Sequence, residues 1–180
     1  LTIGSNVKSI GEAAFNGCTG LTTITIPSSV ESIGNNAFSY CTGLTAISIP
    51  NQVLTIGDHA FSGCTGLTSV NVLCTPTTLG EDIFKDCNSI KEVAFDCEGV
   101  TALFNGFTSI EKETLKGSVN YISDNAFSGC SGLTSLTIGS NVKSIGKSAF
   151  NGCVGLTAIT IPNSVESIGN NAFSYCTGLT

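Results

Sequence analysis

Residues 21–44 read LTTITIPSSVESIGNNAFSYCTGL, and this stretch decides the fold. Its key positions recur every 23 residues along the chain, as the spacing of Phe15, Phe38 and Phe61 shows. A fixed period of about 20–50 residues is typical of repeat proteins. One unit of this length cannot bury its apolar side alone, so successive copies must stack in register. The sequence therefore predicts a solenoid.

Within the unit, apolar and polar residues alternate along a short strand. Ile24 and Ile26 point to one side and Thr23 and Thr25 to the other. Pro27 ends the strand because it has no N–H to donate to a ladder. The remainder of the unit is predicted to form a short helical turn. The fold class is thus a right-handed array with one parallel β-sheet and short helical turns or loops on the other side. Strands are predicted near residues 1–3, 22–26, 45–49, 68–72, 91–95, 111–115, 134–138 and 157–161.

The whole chain, residues 1–180, is interpreted as a single solenoid of about eight repeats. One degenerate repeat near residues 90–109 is three residues short, and the deletion lies between Phe95 and Phe104. Residues 1–45 match residues 136–180 at 40 of 45 positions. Solenoids need polar caps at their ends, and neither end shows one. We therefore expect the chain to be a fragment of a longer repeat protein.

The composition excludes several classes of function. The net charge is −6 and all seven basic residues are Lys, which argues against a nucleic-acid partner. No apolar run exceeds three residues, so the segment contains no predicted membrane span and no signal peptide. His59 is the single histidine, and no nucleophile has a recognisable base beside it. We expect no catalytic residues, no metal site and no cofactor.

The string from Ile24 to Leu44 resembles the BspA-type leucine-rich repeat, whose pattern is I-x-I-P-x-x-V-x-x-I-G-x-x-A-F-x-x-C-x-x-L. The resemblance covers the whole chain and implies a leucine-rich-repeat fold. It also implies a surface or secreted protein of an anaerobic bacterium or protozoan parasite. The implied function is adhesion to host extracellular proteins such as fibronectin or fibrinogen, or engagement of an innate immune receptor. Phe107 in place of Cys, Glu113 in place of an apolar residue and Pro76 in place of Val depart from the pattern.

The nine cysteines fall into two groups. One group recurs at a single repeat position and is interpreted as a buried column of thiols, because buried Cys behaves as a small apolar residue. This column comprises Cys18, Cys41, Cys64, Cys87, Cys130, Cys153 and Cys176. Cys74 and Cys97 form the second group and occupy equivalent positions in adjacent repeats. Neighbouring strands are about 5 Å apart, so these two either form a disulfide or remain paired thiols.

The outward face of the predicted sheet is the first candidate binding site. It is broad and mostly uncharged, and it suits an extended protein or a glycan. Its candidate residues are Thr23, Thr25, Ser48, Ser69, Asn71, Thr137 and Thr160. Tyr40 and Tyr175 are the alternative, because they replace a glycine of the other repeats on a different face. Aromatic residues of this kind are favoured at interaction surfaces.

Other functions remain open at this stage. The alternatives to adhesion are a structural spacer in a larger surface protein and a cytosolic scaffold. Ordered threonines on a flat sheet also resemble ice-binding surfaces, but Glu92 and Lys112 interrupt the row and disfavour that function.

Overall fold

A computed structural model describes all residues, 1–180. The chain forms two compact units, Leu1–Ile90 and Lys91–Thr180. Each unit is a solenoid of parallel β-strands, which confirms the predicted fold class. The strands of the first unit are β1 (Ser9–Ile10), β2 (Ser32–Ile33), β3 (Ala46–Ile49), β4 (Thr55–Ile56), β5 (Ser69–Val72) and β6 (Thr78–Leu79). Those of the second are β7 (Glu92–Phe95), β8 (Gly99–Val100), β9 (Lys112–Leu115), β10 (Tyr121–Ile122), β11 (Ser135–Thr137), β12 (Ser144–Ile145) and β13 (Ser167–Ile168).

Two rows of strands run along each unit, whereas the sequence predicted one. The first row contains the longer strands, β3 and β5 in the first unit and β7, β9 and β11 in the second. The second row contains two-residue strands in the orders β1-β2-β4-β6 and β8-β10-β12-β13. It passes through the segment of each repeat that is equivalent to Ser32–Ile33. Two residues are too few to show an alternating pattern in the sequence.

Three of the predicted strands are not formed. Thr2 and Thr25 make one isolated parallel bridge, so the segments near 1–3 and 22–26 do not become full strands. Residues 157–161 form no strand. Fewer neighbouring strands are available at the end of an array, and terminal segments lose their ladder hydrogen bonds first.

The pairing registers locate the missing residues of the short repeat. Regular first-row pairs keep the repeat period, as in Ala46↔Ser69, but Glu92 pairs with Lys112, three positions earlier than that period requires. In the second row Gly99 pairs with Tyr121, one position earlier than the period requires. Two residues are therefore missing between β7 and β8, and one is missing after β8.

The expected helical turn is a run of hydrogen-bonded turns instead. Within one repeat Asn36 and Tyr40 hold positive φ angles of 55° and 58°, which interrupt a right-handed helix. Both residues donate their backbone N–H to the next repeat, Asn36 to Asp58 O at 2.8 Å and Tyr40 to Ser62 O at 2.7 Å. The turn backbone thus pairs between repeats, as the strands do.

A ladder of phenylalanine rings fills the core. The Phe38 ring is fully buried and stacks on Phe15 and on Phe61, with a centroid distance of 5.2 Å in each case. Two parallel rings stacked directly face to face would have a shorter centroid distance than this. The rings are therefore displaced sideways, which is a preferred geometry for aromatic pairs. In the second unit Phe127 stacks on Phe150 at 5.7 Å. There Phe95 meets Phe127 edge-on, at an interplanar angle of 89°.

The recurring cysteine satisfies a backbone carbonyl of the preceding repeat. The Cys64 thiol donates to Phe38 O at 3.1 Å, and the same oxygen accepts the N–H of Cys41 at 3.2 Å. The equivalent thiol bonds are 3.1–3.3 Å long and join Cys41 to Phe15, Cys87 to Phe61, Cys130 to Phe104, Cys153 to Phe127 and Cys176 to Phe150. A thiol therefore fits this position better than a methyl group, because it is small, apolar and still a donor.

Cys18 is the exception in this column, because it is exposed in the first turn of the described chain. The other six members are buried. Burial raises the pKa of Cys41 to about 11 and that of Cys130 to about 12. These thiols are therefore protonated at neutral pH and are poor nucleophiles.

Candidate binding face

The outward side chains of the first-row strands and of their extensions form what we call the sheet face. Its residues alternate with buried ones: Ser48 is exposed between Ile47 and Ile49, and Asn71 is exposed between Val70 and Val72. Thr23, Thr25, Thr137 and Thr160 are also exposed, while Ser69 is half-buried. Five of the candidate residues lie in the first unit, and Thr137 and Thr160 lie in the second.

Not every hydroxyl on this side is available to a partner. The column at the start of each strand uses its hydroxyls internally: Thr68 Oγ1 donates to Thr45 O at 3.0 Å, and Thr134 Oγ1 donates to Glu111 O at 3.1 Å. Among the candidate residues, Asn71 Nδ2 donates to Ser48 Oγ at 3.4 Å.

A shallow depression lies on the sheet face of each unit. In the first unit it has a volume of about 300 Å³ and lies between residues 23–26 and β3. In the second it has a volume of about 390 Å³ and lies between β11 and residues 158–162. Each lies where a predicted strand is not formed, so no ladder crosses it. Both depressions are lined by apolar side chains, such as Ile47 and Ile159, together with hydroxyls, such as those of Thr25 and Thr160.

The charges around the sheet face are largely neutralised. In the second unit Lys112 Nζ lies 4.0 Å from a Glu92 carboxylate oxygen, and Lys91 Nζ lies 3.0 Å from Glu111. These side chains are more than half exposed, so each pair contributes little to stability. Because positive and negative charges are paired, the electrostatic potential of the sheet face is close to neutral in this region.

Tyr40 and Tyr175 occupy a backbone position that favours glycine. Their φ angles are both 58°, and glycines hold φ angles of 71° to 81° at this position in other repeats. These glycines are Gly17, Gly63, Gly106, Gly129 and Gly152. The recurrence of glycine at this position is a sequence signal for the left-handed conformation. The left-handed conformation costs a side chain about 1–2 kcal/mol.

Both tyrosines are also exposed, 58% for Tyr40 and 76% for Tyr175. The Tyr40 ring covers Gly63 of the next repeat, where an added Cβ would lie 2.6 Å from the ring. Exposed aromatic rings on a strained backbone are typical of functional sites, so Tyr40 and Tyr175 remain the alternative binding site.

Replacing Tyr175 with glycine is expected to stabilise the protein by about 1 kcal/mol, because glycine relieves the left-handed strain. Tyr175→Ala is the matched control, since it removes the ring but keeps the strain. Urea unfolding monitored by circular dichroism compares the two variants. Equal stability of the glycine and alanine variants would show that the backbone at this position is unstrained.

Cys74 and Cys97 are placed in different units. Cys74 follows β5 in the first unit, Cys97 follows β7 in the second, and each is a buried thiol in the structure. The disulfide between them stays a prediction, with paired thiols as its alternative.

The repeat pattern also identifies the family. The sequence profile of the BspA type leucine rich repeat region matches residues 1–103 and 100–180, with six copies. The chain belongs to the BspA-type leucine-rich-repeat family. This membership confirms the resemblance seen in residues 24–44.

Solved structures of bacterial leucine-rich-repeat proteins share the BspA-type fold. A leucine-rich repeat protein from Bacteroides ovatus is 33% identical with a TM-score of 0.80, and the match covers 99% of this chain and 47% of that one. A second, from Eubacterium ventriosum, is 29% identical with a TM-score of 0.70, covering 86% of this chain and 42% of that one. A leucine rich cell surface protein from Faecalibacterium prausnitzii is 27% identical with a TM-score of 0.59, covering 100% of this chain and 48% of that one. The chain spans about half the length of these proteins. No curated protein matches it.

Proposed function

We propose that this BspA-type chain is a non-enzymatic adhesion module of a cell-surface or secreted protein. Membership of a leucine-rich-repeat family supports a protein-interaction module as the general function. The surface location is supported by the Faecalibacterium prausnitzii protein, which is described as a cell surface protein. The structure has no helix long and apolar enough to cross a bilayer.

The sheet face is the proposed binding site, and its two depressions are the observation that carries the proposal. Each is lined by apolar residues and exposed hydroxyls and lies beside a segment that forms no strand, residues 23–26 in the first unit and 158–162 in the second. An extended peptide can use such a surface, because it gains backbone hydrogen bonds from a strand and places alternate side chains in the depression. The proposed partner is therefore an extended segment of a host extracellular protein.

A pair of charges on the sheet face is expected to weaken this binding. Thr25→Lys combined with Thr137→Lys places one buried, unpaired ammonium in the interface on each unit, while folding is retained because both residues are exposed. Affinity for immobilised fibronectin or fibrinogen should fall at least about tenfold, which corresponds to about 1.4 kcal/mol. Surface plasmon resonance measures the change.

The control and the alternative use matched variants. Glu12→Lys changes the net charge by the same amount away from the sheet face, and the second copy of the block already carries Lys147 at this position. It should leave binding unchanged. If Tyr40→Ala with Tyr175→Ala releases the partner while the lysine pair does not, the turn face is the site. Absence of wild-type binding to either host protein would instead favour a structural spacer.

A further inference from the structure

Glu113 is a carboxylic acid placed inside the second unit. It lies on β9, which pairs in register with Val93 of β7 and Leu136 of β11. Its side chain is completely buried, and neither carboxyl oxygen has a hydrogen-bond partner. The other repeats carry an apolar residue at this position, namely Ile24, Ile47, Val70, Val93, Leu136 and Ile159.

No cation faces the Glu113 carboxyl. Lys112 precedes it on β9 but points outward and pairs with Glu92. The flanking strands contribute Val93 and Leu136 at the paired positions. The titratable groups that interact with the carboxyl are the thiols of Cys130 and Cys153, whose own pKa values are raised by burial first and by Glu113 in addition.

An ionised carboxylate in these surroundings is strongly unfavourable, because burial removes its water and nothing replaces that solvation. Burial accordingly raises the pKa of Glu113 well above its usual range. A second buried oxygen, Thr101 Oγ1 in the short repeat of the same unit, also has no hydrogen-bond partner. Both features lower the cost of opening this part of the solenoid.

We propose that Glu113 is a pH-sensitive switch: the turns around β9 stay closed while its carboxyl is protonated and open as it ionises. Lys112 and Thr114 alternate with Glu113 on β9, so opening also disorders that part of the sheet face.

The direction of the pH effect follows from proton linkage. In the opened chain the carboxyl titrates near its ordinary value of about 4.3, whereas in the closed chain it stays protonated to higher pH. Below that ordinary value both states hold the proton and the closed state has its full stability. Above it, opening releases one proton, so the opening constant rises about tenfold per pH unit until the closed-state carboxyl also ionises.

Hydrogen exchange of the full chain at pH 5, 6, 7 and 8 tests the switch, after correction for the intrinsic pH dependence of exchange. The opening constant of the β9 amides should rise with pH in the wild type, about tenfold per pH unit until the closed-state carboxyl also ionises. The β5 amides of the first unit serve as an internal reference and should not follow this slope. A wild-type β9 that opens equally at all four pH values would overturn the proposal.

Two variants and one control locate the effect at Glu113. Glu113→Leu restores the apolar residue of the other strands, and Glu113→Gln keeps the shape but cannot ionise. Either variant should abolish the pH slope at β9. Glu98→Gln removes an exposed carboxylate of the preceding repeat in the same unit and should keep the wild-type slope. A steep slope that persists in Glu113→Gln would assign the pH dependence to another group.

Discussion

Phe38→Ala is expected to lower the free energy of unfolding by about 3–5 kcal/mol, the usual cost of removing a buried phenylalanine. The ring is fully buried between Phe15 and Phe61, so its removal leaves a cavity that two stacked neighbours border. The variant also loses two offset-stacked contacts, each worth about 0.5–1.5 kcal/mol within that total. Urea unfolding followed by circular dichroism measures the loss.

The matched control is Phe15→Ala in the first turn. Phe15 belongs to the same ladder but is only half-buried, and within the chain it stacks on Phe38 alone. Its replacement should cost less than half as much as that of Phe38. Because each repeat contacts only its neighbours, the damage at Phe38 should first appear as loss of the first unit. Identical unfolding curves for the wild type and Phe38→Ala would refute the ring ladder as a source of stability.

The regular core could be predicted from the sequence because most of its positions recur in nearly every repeat, with Pro76 and Glu113 as departures. Alternation around Ile47 and Ile49 separates the buried side chains from the sheet face, and the structure follows the same alternation. The constant repeat period then aligns each such position with its copies, which is why Phe38 could be placed between two further rings.

The local backbone of the turns could not be predicted in the same way. A helical turn was expected where Asn36 and Tyr40 adopt left-handed φ angles, because tyrosine is a bulky residue that rarely does so. Pairing of these turns between repeats outweighs the local preference, since each left-handed residue donates an inter-repeat hydrogen bond.

The candidate site was only partly accessible from the sequence. The outward position of residues such as Thr25 and Thr137 follows from alternation, and the structure exposes both. The depressions depend on where strand pairing fails, which the repeat pattern does not encode because residues 22–26 and 157–161 look like regular strands. The burial of Glu113 was visible as a departure from the pattern, but its lack of any partner required the structure.

Gly57→Ala is expected to destabilise the protein by about 3 kcal/mol, the upper end of the usual range for overpacking. An added Cβ at Gly57 would lie 2.6 Å from Asn35 N and 2.8 Å from Gly34 C, both backbone atoms of the preceding repeat. Backbone cannot rotate away as a side chain can, so the two repeats must separate at this corner. The separation would also strain the hydrogen bond from Gly57 N to Ile33 O, which is 2.8 Å long.

Gly11→Ala is the control, because Gly11 occupies the same position in the first turn and an added Cβ would have no atom within 4 Å. We expect it to be neutral or to stabilise by about 0.4–1 kcal/mol, since alanine restricts the unfolded chain. The sequence carries two exceptions: Thr101 fills this position within the shortened repeat, and Ser123 fills it in the next repeat, where the preceding turn has one residue fewer. Chemical unfolding of both variants gives the comparison. Similar losses from Gly57→Ala and Gly11→Ala would show that glycine is required for its flexibility, and that close packing between repeats does not set the requirement.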